Sequence, residues 1–431
     1  MKTWKKVSLS GTAILAALTL AACGSSNTSA SKSGKVTITL GTWDTASGNT
    51  QTVEQQVVAG FEKANPNIKV NIQATPQNYD TKLQTQLAAG DAPDIFQLGD
   101  GDISTFAAKG VLADLTSYVK GSNGLNMSDF QSSIMDIGVV NGKYYTLPDN
   151  YSTFAVYINK DMFQKAGLAL PTANWTWADF EKDAKALTLK SGNTVTQWGA
   201  YFPATDLRTY LPFMYDYGGD VLSTDGKTVT ADSAGAIAGW EEYNKLMNTD
   251  KVAPGASAVA ASNGADLFLS KKAAMNLTGV WPAASYTQAN LNYEVVPIPA
   301  GPAGQFTGLD YSGIAMNAKT KNADAAWKFL QYWENEGSDI IAKGGSLTAN
   351  TKANTAAKLS TNPGTAVFLQ VADKIKMFPE RYNQYFASTA GQDLENVRVA
   401  IGNGTGSVDV SSQLKAATKK AQTDLDAASK N

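Results

Sequence analysis

The sequence has no histidine and only one cysteine among its 431 residues, and its formal net charge is −2. Without histidine, the chain cannot build a Ser/His/Asp or Cys/His nucleophile, a histidine metal ligand or an imidazole proton relay. One cysteine excludes an internal disulfide, a cysteine-based zinc site and a CxxC redox pair. Because no long basic run is present, no nucleic-acid partner is expected. We also expect no metal and no cofactor.

The length and the 43% of hydrophobic residues predict two or more domains, each with its own core. Apolar periodicity predicts the order strand, helix, strand, helix, strand at residues 36–40, 53–61, 68–72, 79–89 and 94–98. This order is typical of an α/β fold with a parallel sheet. The turn pair Asn141-Gly142 predicts a hairpin. Further helices are predicted at 177–187, 236–247, 323–333, 367–376 and 410–427, and further strands at 274–277 and 293–296.

The N-terminus has the pattern of an export signal. Residues 1–22 combine three lysines with a short apolar run, and they end in Leu-Ala-Ala before Cys23. This ending resembles the bacterial lipobox, in which the cysteine is acylated after cleavage. The Ser-rich residues 23–34 predict a flexible tether. The alternative is an ordinary signal peptide with an incidental cysteine. We expect an extracytoplasmic protein that is lipid-anchored to the cell membrane through Cys23.

Several segments in the body are similar to the extracellular solute-binding proteins of ABC importers, in the carbohydrate-binding group related to maltose-binding protein. In chain order, these segments are FEKANPNIKV (61–70), AGDAPDI (89–95), YINKDMF (157–163), TWADF (176–180), GGD (218–220) and AAWKFL (325–330). Each is weak alone, and their order and spacing together with the lipobox make the resemblance specific.

The resemblance implies an α/β fold of two lobes that close as a clamp, with a central, mostly parallel sheet in each lobe and a hinge crossed more than once. Lobe 1 would comprise residues 35–150 and 313–360, and lobe 2 residues 151–312 and 361–431. It also implies a monomer that binds a carbohydrate and delivers it to ABC permease subunits. No catalysis on the ligand is expected.

Ligands of open α/β sheets bind beyond the carboxyl ends of the strands. A sugar there needs polar groups around its hydroxyls and flat aromatic rings against its C–H faces. The predicted loops after strands offer seven such residues: Trp43, Asp44, Asp100, Asp102, Asn150, Tyr151 and Trp281. Whether Asp100 or Asp102 reaches the ligand is left open.

The resemblance supports Trp281 most directly, because Gly279-Val280-Trp281 aligns with a loop that presents a stacking tryptophan. A tryptophan that only packs at the rim is the alternative. The two implied crossings between lobes add Tyr151, Asp310 and Tyr311 as residues facing the cleft. Weaker candidates are Tyr79, Tyr210, Arg381 and Tyr382.

Two other functions remain open at this stage. A carboxylate-based glycoside hydrolase needs no histidine, so composition does not exclude it. A binding protein for glycerol phosphate or a polyamine would use the same fold. Nucleotide binding is not expected, because the P-loop-like end at 225–228 lacks its earlier glycine.

Overall fold

The computed structural model describes residues 34–43, 52–75, 77–203, 207–262, 265–379, 382–406 and 408–430. The body from Lys35 onward is one structural unit. Its strands are β1 (Val36–Thr42), β2 (Ile68–Ala74), β3 (Ile95–Gly99), β4 (Val139–Val140), β5 (Lys143–Tyr144), β6 (Thr146–Thr153), β7 (Ala155–Asn159), β8 (Leu189–Ser191), β9 (Thr194–Tyr201), β10 (Ala273–Thr278), β11 (Tyr293–Pro297) and β12 (Leu309–Met316).

Helices cover both sheets. They are α1 (Val53–Ala64), α2 (Tyr79–Ala89), α3 (Asp100–Ala108), α4 (Thr116–Lys120), α5 (Ser132–Met135), α6 (Lys160–Ala166), α7 (Trp177–Leu187), α8 (Leu211–Asp216), α9 (Ala234–Asn244), α10 (Ala256–Ala261), α11 (Ala283–Gln288), α12 (Ala323–Tyr332), α13 (Ser338–Lys343), α14 (Thr351–Ala356), α15 (Ala366–Gln370), α16 (Ala390–Gly402) and α17 (Val410–Ala428). Among the residues described, no helix is both long and apolar enough to cross a bilayer.

The first sheet has the strand order β2-β1-β3-β12-β6 and forms the centre of lobe 1. Strands β1, β2 and β3 are parallel because helices α1 and α2 return the chain between them. Helix α1 begins with a capping box, in which Thr52 and Gln55 exchange hydrogen bonds. Strands β6 and β12 run antiparallel to their neighbours. The first half of lobe 1 therefore has the β-α-β order that the sequence predicts.

The second sheet, with the order β11-β7-β10-β9-β8, forms the centre of lobe 2. Only β9 and β10 pair in parallel among its described neighbours, and the other three pairs are antiparallel. The two-lobe α/β fold is confirmed, but the prediction of a mostly parallel sheet in each lobe is corrected to two mixed sheets. Antiparallel pairs arise where a strand enters directly from the other lobe or from a tight turn, without a crossover helix.

The chain passes between the sheets along β6 and β12, which pair with each other from Leu309 opposite Thr153 to Ala315 opposite Thr146. The register shifts between Ser312 and Gly313, which marks an irregularity in this pair. Strand β6 continues into β7 of lobe 2 through Phe154. The exact lobe boundaries near residues 150 and 312 stay predictions.

Most predicted elements are present. The Asn141-Gly142 hairpin connects β4 and β5, with positive φ at both turn residues. The predicted helix over 367–376 is wrong in its length, because α15 ends at Gln370. Farther along, Ile375 pairs with Thr307, and the Lys376 N–H donates to the Thr307 carbonyl at 3.0 Å. This pairing with the chain that enters β12 replaces the last helical turns.

Candidate functional site

The carboxyl ends of β1 and β3 hold two aromatic rings against one another. Trp43 follows β1 and meets Tyr79, at the start of α2, edge to face with centroids 5.2 Å apart. The backbone N–H of Trp43 donates to Gln97 Oε1 at 3.3 Å, and the Tyr79 hydroxyl donates to the backbone carbonyl of Gln97 at 2.9 Å. Gln97 in β3 is fully buried. Burial raises the pKa of the Tyr79 phenol, so it remains a neutral donor.

Three aspartates surround this edge. Asp100 and Asp102 lie in the first turn of α3 rather than in a loop, which corrects the prediction. Acidic side chains are favoured there by the positive end of the helix dipole. Burial and the nearby Asp80 raise the pKa of Asp102 to about 6. Burial also raises the pKa of Asp80, in the first turn of α2.

Arg208 of lobe 2 forms an ion pair with Asp100 of lobe 1. The positive charge of Arg208 offsets part of the increase in the pKa values of Asp80 and Asp102. Its guanidinium lies 4.8 Å above the centroid of the Phe378 ring. Nearby, Thr105 Oγ1 donates to the Gln384 carbonyl at 2.9 Å, which is a second hydrogen bond across the cleft. The two lobes therefore touch beside the acidic group.

Lobe 2 contributes a row of aromatic rings. Trp281 follows β10 and is 53% exposed. It meets the ring of Phe154 edge to face, with centroids 6.1 Å apart. Phe154 and Phe378 flank Gly308, where an added Cβ would lie 3.2 Å from both rings. Trp281 also lines a cavity of about 370 Å³ together with Lys343 to Ser346 of lobe 1.

These contacts connect into one band, which we call the cleft band. It consists of Trp43, Tyr79, Asp80, Gln97, Asp100, Asp102, Phe154, Arg208, Trp281 and Phe378. Gln97, Phe154 and Phe378 are buried and support the band from behind, whereas Trp43, Trp281, Arg208 and the three aspartates are partly or fully exposed. Such a surface binds a molecule that has apolar faces and many hydroxyl groups at its edge.

Three predicted tyrosines lie in the core instead of facing the cleft. Tyr151 and Tyr311 are 1% exposed, and their strands β6 and β12 are covered on both faces. The Tyr151 hydroxyl donates to Gln131 Oε1 at 3.2 Å, and that of Tyr311 pairs with Thr146 Oγ1 at 3.1 Å. Tyr210 is buried in lobe 2, with the Arg398 guanidinium 5.0 Å above its ring.

The other predicted residues have separate positions. Half-buried Asn150 donates through Nδ2 to Asp149 at 3.0 Å, and Asp310 is exposed in β12. Tyr382 is 42% exposed and lines a groove of about 340 Å³ whose walls come from both lobes. Asp44, Arg381 and Cys23 lie outside the described residues.

The sequence analysis missed Asp80, Gln97, Phe154, Arg208 and Phe378. Asp80 could have been found, since it adjoins Tyr79 at the start of a helix that follows a strand. Gln97 lies inside an apolar strand, which is a signal for a buried polar contact. For Arg208 and Phe378 the sequence gives no local signal, because only the tertiary fold brings them to Asp100.

Two lobes, two crossing strands and a band of aromatic and charged side chains define a solute-binding protein. A family model described as bacterial extracellular solute-binding protein matches residues 46–339. The chain therefore belongs to this family, and its members are binding proteins rather than enzymes. This finding confirms the predicted class and removes the glycoside hydrolase alternative.

The chain is similar to the maltodextrin-binding protein MdxE of Bacillus subtilis, with 29% identity over 349 residues, 76% of each chain. It is 26% identical to the diacetylchitobiose binding protein DasA of Streptomyces coelicolor over 363 residues, 79% of this chain and 82% of the other. The fold matches the ABC substrate-binding protein Lmo0181 from Listeria monocytogenes in complex with cycloalternan. That match has a TM-score of 0.81 and 28% identity, and it covers 90% of this chain and 98% of the other.

Proposed function

We propose that this protein captures a neutral oligosaccharide in the cleft band and delivers it to the permease of an ABC importer. The exposed ring of Trp281 carries the proposal, because a half-exposed tryptophan beside a cavity can stack on the C–H face of a sugar. The relatives named above bind maltodextrin, diacetylchitobiose and cycloalternan, according to their descriptions.

The charges of the cleft band favour a neutral ligand over an anionic one. Three aspartates surround the single arginine of the band, and Asp100 is already paired with it. A phosphate would meet these carboxylates before it reached Arg208. Sugar hydroxyls, by contrast, donate to carboxylates and accept from a guanidinium.

A polyamine is the second candidate, since the acidic group would attract a cation. Two observations weigh against it. Arg208 pairs with Asp100 and so neutralises part of the acidic charge. A polyamine also lacks the flat C–H face that the exposed ring of Trp281 can stack on.

The ligand would act by favouring the closed arrangement of the two lobes. The contacts of Asp100 with Arg208 and of Thr105 with Gln384 already join the lobes, and sugar contacts with both walls would add to them. Strands β6 and β12 would absorb the rotation. The closed form would dock on the permease as a monomer.

The test is a thermal-shift screen with maltodextrins, chito-oligosaccharides, spermidine and glycerol phosphate, followed by calorimetry on each ligand that raises the melting temperature. We expect stabilisation by a neutral oligosaccharide. Trp281→Ala should weaken its binding by about 1–3 kcal/mol, the usual contribution of an aromatic stacking partner. Trp198→Ala is the control, because Trp198 lies at the opposite end of the same sheet, beside Ala273 at the start of β10.

Stabilisation by spermidine alone would replace the sugar proposal with the polyamine proposal. Unchanged sugar affinity in Trp281→Ala would remove this ring from the site.

Membrane anchoring is a separate part of the proposal. We propose that Cys23 is acylated after removal of residues 1–22 and that residues 23–34 tether the body to the outer face of the cell membrane. In an expressing bacterium, Cys23→Ser should move the protein from the membrane fraction to the soluble or secreted fraction. Equal membrane association of the variant and the wild type would contradict the anchor.

A further inference from the structure

A buried carboxylate lies behind the cleft band. Asp149 in β6 is 1% exposed. Its Oδ2 accepts hydrogen bonds from Gln97 Nε2 at 2.8 Å, Ser312 Oγ at 2.7 Å and Asn150 Nδ2 at 3.0 Å. Its Oδ1 accepts from the Trp333 indole at 3.2 Å. Four donors from three other parts of the fold and its own strand therefore converge on one side chain.

One of these donors connects Asp149 with the ring pair of the cleft band. While Gln97 Nε2 donates to Asp149, Gln97 Oε1 accepts from Thr42 Oγ1 and from the Trp43 N–H. An amide held at both ends cannot rotate without breaking a hydrogen bond. The position of the Trp43 backbone therefore depends on Asp149 through a single intermediate.

Two further donors connect Asp149 with the lobe crossings. Ser312 lies in β12 at the irregular point of the β6–β12 pair, and Asp149 itself lies in β6. Trp333 begins the short π-helix Trp333–Gly337 that follows α12, next to the buried Glu334. Burial and the charge of Asp149 raise the pKa of Glu334 well above its usual range.

The chemistry requires an acceptor at this position. An asparagine in place of Asp149 would direct its amide N–H₂ either toward Gln97 Nε2 and Ser312 or toward the Trp333 indole. The Trp333 indole can only donate, and the Gln97 amide is held in its orientation by Thr42 and Trp43. A buried donor would then be left unsatisfied. A core residue that served only for packing would not need to accept hydrogen bonds from four donors.

We propose that Asp149 is a positioning residue for ligand binding, which holds Gln97 and through it the Trp43–Tyr79 pair in a fixed place relative to the crossing strands. Asp149 does not touch the ligand. This inference rests on the proposed function, because the affinity it predicts is that for the oligosaccharide bound by the wild type.

The test compares Asp149→Asn with two other variants. We expect Asp149→Asn to bind the oligosaccharide about tenfold more weakly, the loss that corresponds to one charge-assisted hydrogen bond. The double variant Asp149→Asn/Gln97→Glu should recover most of the affinity, because the introduced amide can donate to the introduced carboxylate while Trp43 still donates to that carboxylate. Asp393→Asn is the control: it removes another buried carboxylate, which pairs with Lys420 on the outer helices of lobe 2.

A spectroscopic measurement without ligand separates positioning from a loss of stability. In protein labelled with 5-fluorotryptophan, the ¹⁹F resonance of Trp43, assigned through Trp43→Phe, should move in Asp149→Asn and return in the double variant. The resonance of Trp175 in lobe 2 should stay in place in both. Unchanged affinity in Asp149→Asn, or an unmoved Trp43 resonance, would overturn the inference.

Should Asp149→Asn fail to fold, Gln97→Met replaces it. This variant leaves Asp149 bonded to Asn150, Ser312 and Trp333, and it removes the Gln97 amide together with its hydrogen bonds to Asp149, Thr42 and Trp43. It should weaken binding to a similar degree, and wild-type affinity in it would contradict the proposal. If no sugar binds the wild type, the proposed function fails, whereas the ¹⁹F arm still tests the positioning of Trp43.

Discussion

The two walls of the cleft band are built differently. In lobe 1, Trp43 and Tyr79 are held by hydrogen bonds to Gln97, and Tyr79 is 9% exposed. In lobe 2, Trp281 is 53% exposed, meets Phe154 edge to face and lies against Gly279. One wall is continuous with the core of its lobe, while the other presents a ring on the surface.

This difference indicates that residues of the lobe 1 wall serve both binding and stability, whereas Trp281 of lobe 2 serves mainly binding. A ring that packs on the core, on a residue held by core hydrogen bonds, is preorganised, so a ligand loses little free energy in ordering it. A replacement there also removes packing from the folded protein. An exposed ring contributes little to folding, and the ligand gains the full benefit of covering it. Substitutions in the two walls should therefore have different signatures.

The largest expected effect is that of Trp43→Ala. Because this ring is half-buried against Tyr79, its loss should lower the free energy of unfolding by about 2 kcal/mol, below the 3–5 kcal/mol typical of a fully buried tryptophan. Sugar affinity should fall as well. Trp281→Ala should change the free energy of unfolding by no more than about 0.5 kcal/mol, as exposed positions usually do. Urea unfolding gives the free energy of unfolding of each variant, and calorimetry gives its affinity for the sugar.

Equal losses of unfolding free energy in Trp43→Ala and Trp281→Ala would contradict the proposed difference between the two walls. Tyr79→Phe removes only the hydroxyl donor to Gln97. A lower free energy of unfolding with unchanged sugar affinity in this variant would further support the difference.

Strong local signals were enough to predict much of the fold. Helix α2 begins at Tyr79 and ends before Gly90, and α7 begins after the Thr176 cap, as the sequence predicts. The hairpin at Asn141-Gly142 has the same kind of local cause. The direction of the strands in lobe 2 could not be predicted in this way, because it depends on which strands enter from the other lobe.

The candidate site likewise contains residues that could be predicted from the sequence and residues that could not. Trp43, Asp100, Asp102 and Trp281 follow predicted strands, and their positions at the cleft could be reasoned from topology. Tyr151 and Tyr311 could not be separated from them by position in the sequence. Both faces of their strands are covered by other parts of the fold, so the two rings lie in the core.

Arg208 shows the limit of sequence reasoning most clearly. It lies more than a hundred residues from its ion-pair partner Asp100, in a short turn without an apolar pattern. The distance in sequence leaves no periodicity or motif to connect the two charges. Only the tertiary fold brings the arginine over Phe378 and beside Asp100.

A smaller effect concerns charge in the lobe 1 wall. Burial raises the pKa of Asp102 to about 6, whereas an aspartate in the unfolded chain has its usual value of 3.8. Between these pH values the folded protein keeps a proton that the unfolded chain releases. The free energy of unfolding should therefore fall as pH rises from about 4 to about 6. After allowance for solvent screening, the fall due to Asp102 should be about 1–2 kcal/mol.

Asp102→Asn tests this dependence. The amide resembles the protonated acid, so the variant should match the wild type near pH 4 and exceed its stability at pH 7. Lobe 2 supplies an internal control, since burial raises the pKa of Asp216 to about 8 and the fall in stability between pH 6 and 8 should persist in both proteins. Urea unfolding at each pH measures the difference. If the unfolding free energies of the variant and the wild type changed in parallel from pH 4 to 8, Asp102 would have the same pKa in the folded and the unfolded state. The lobe 1 wall would then not disfavour the charged form of Asp102.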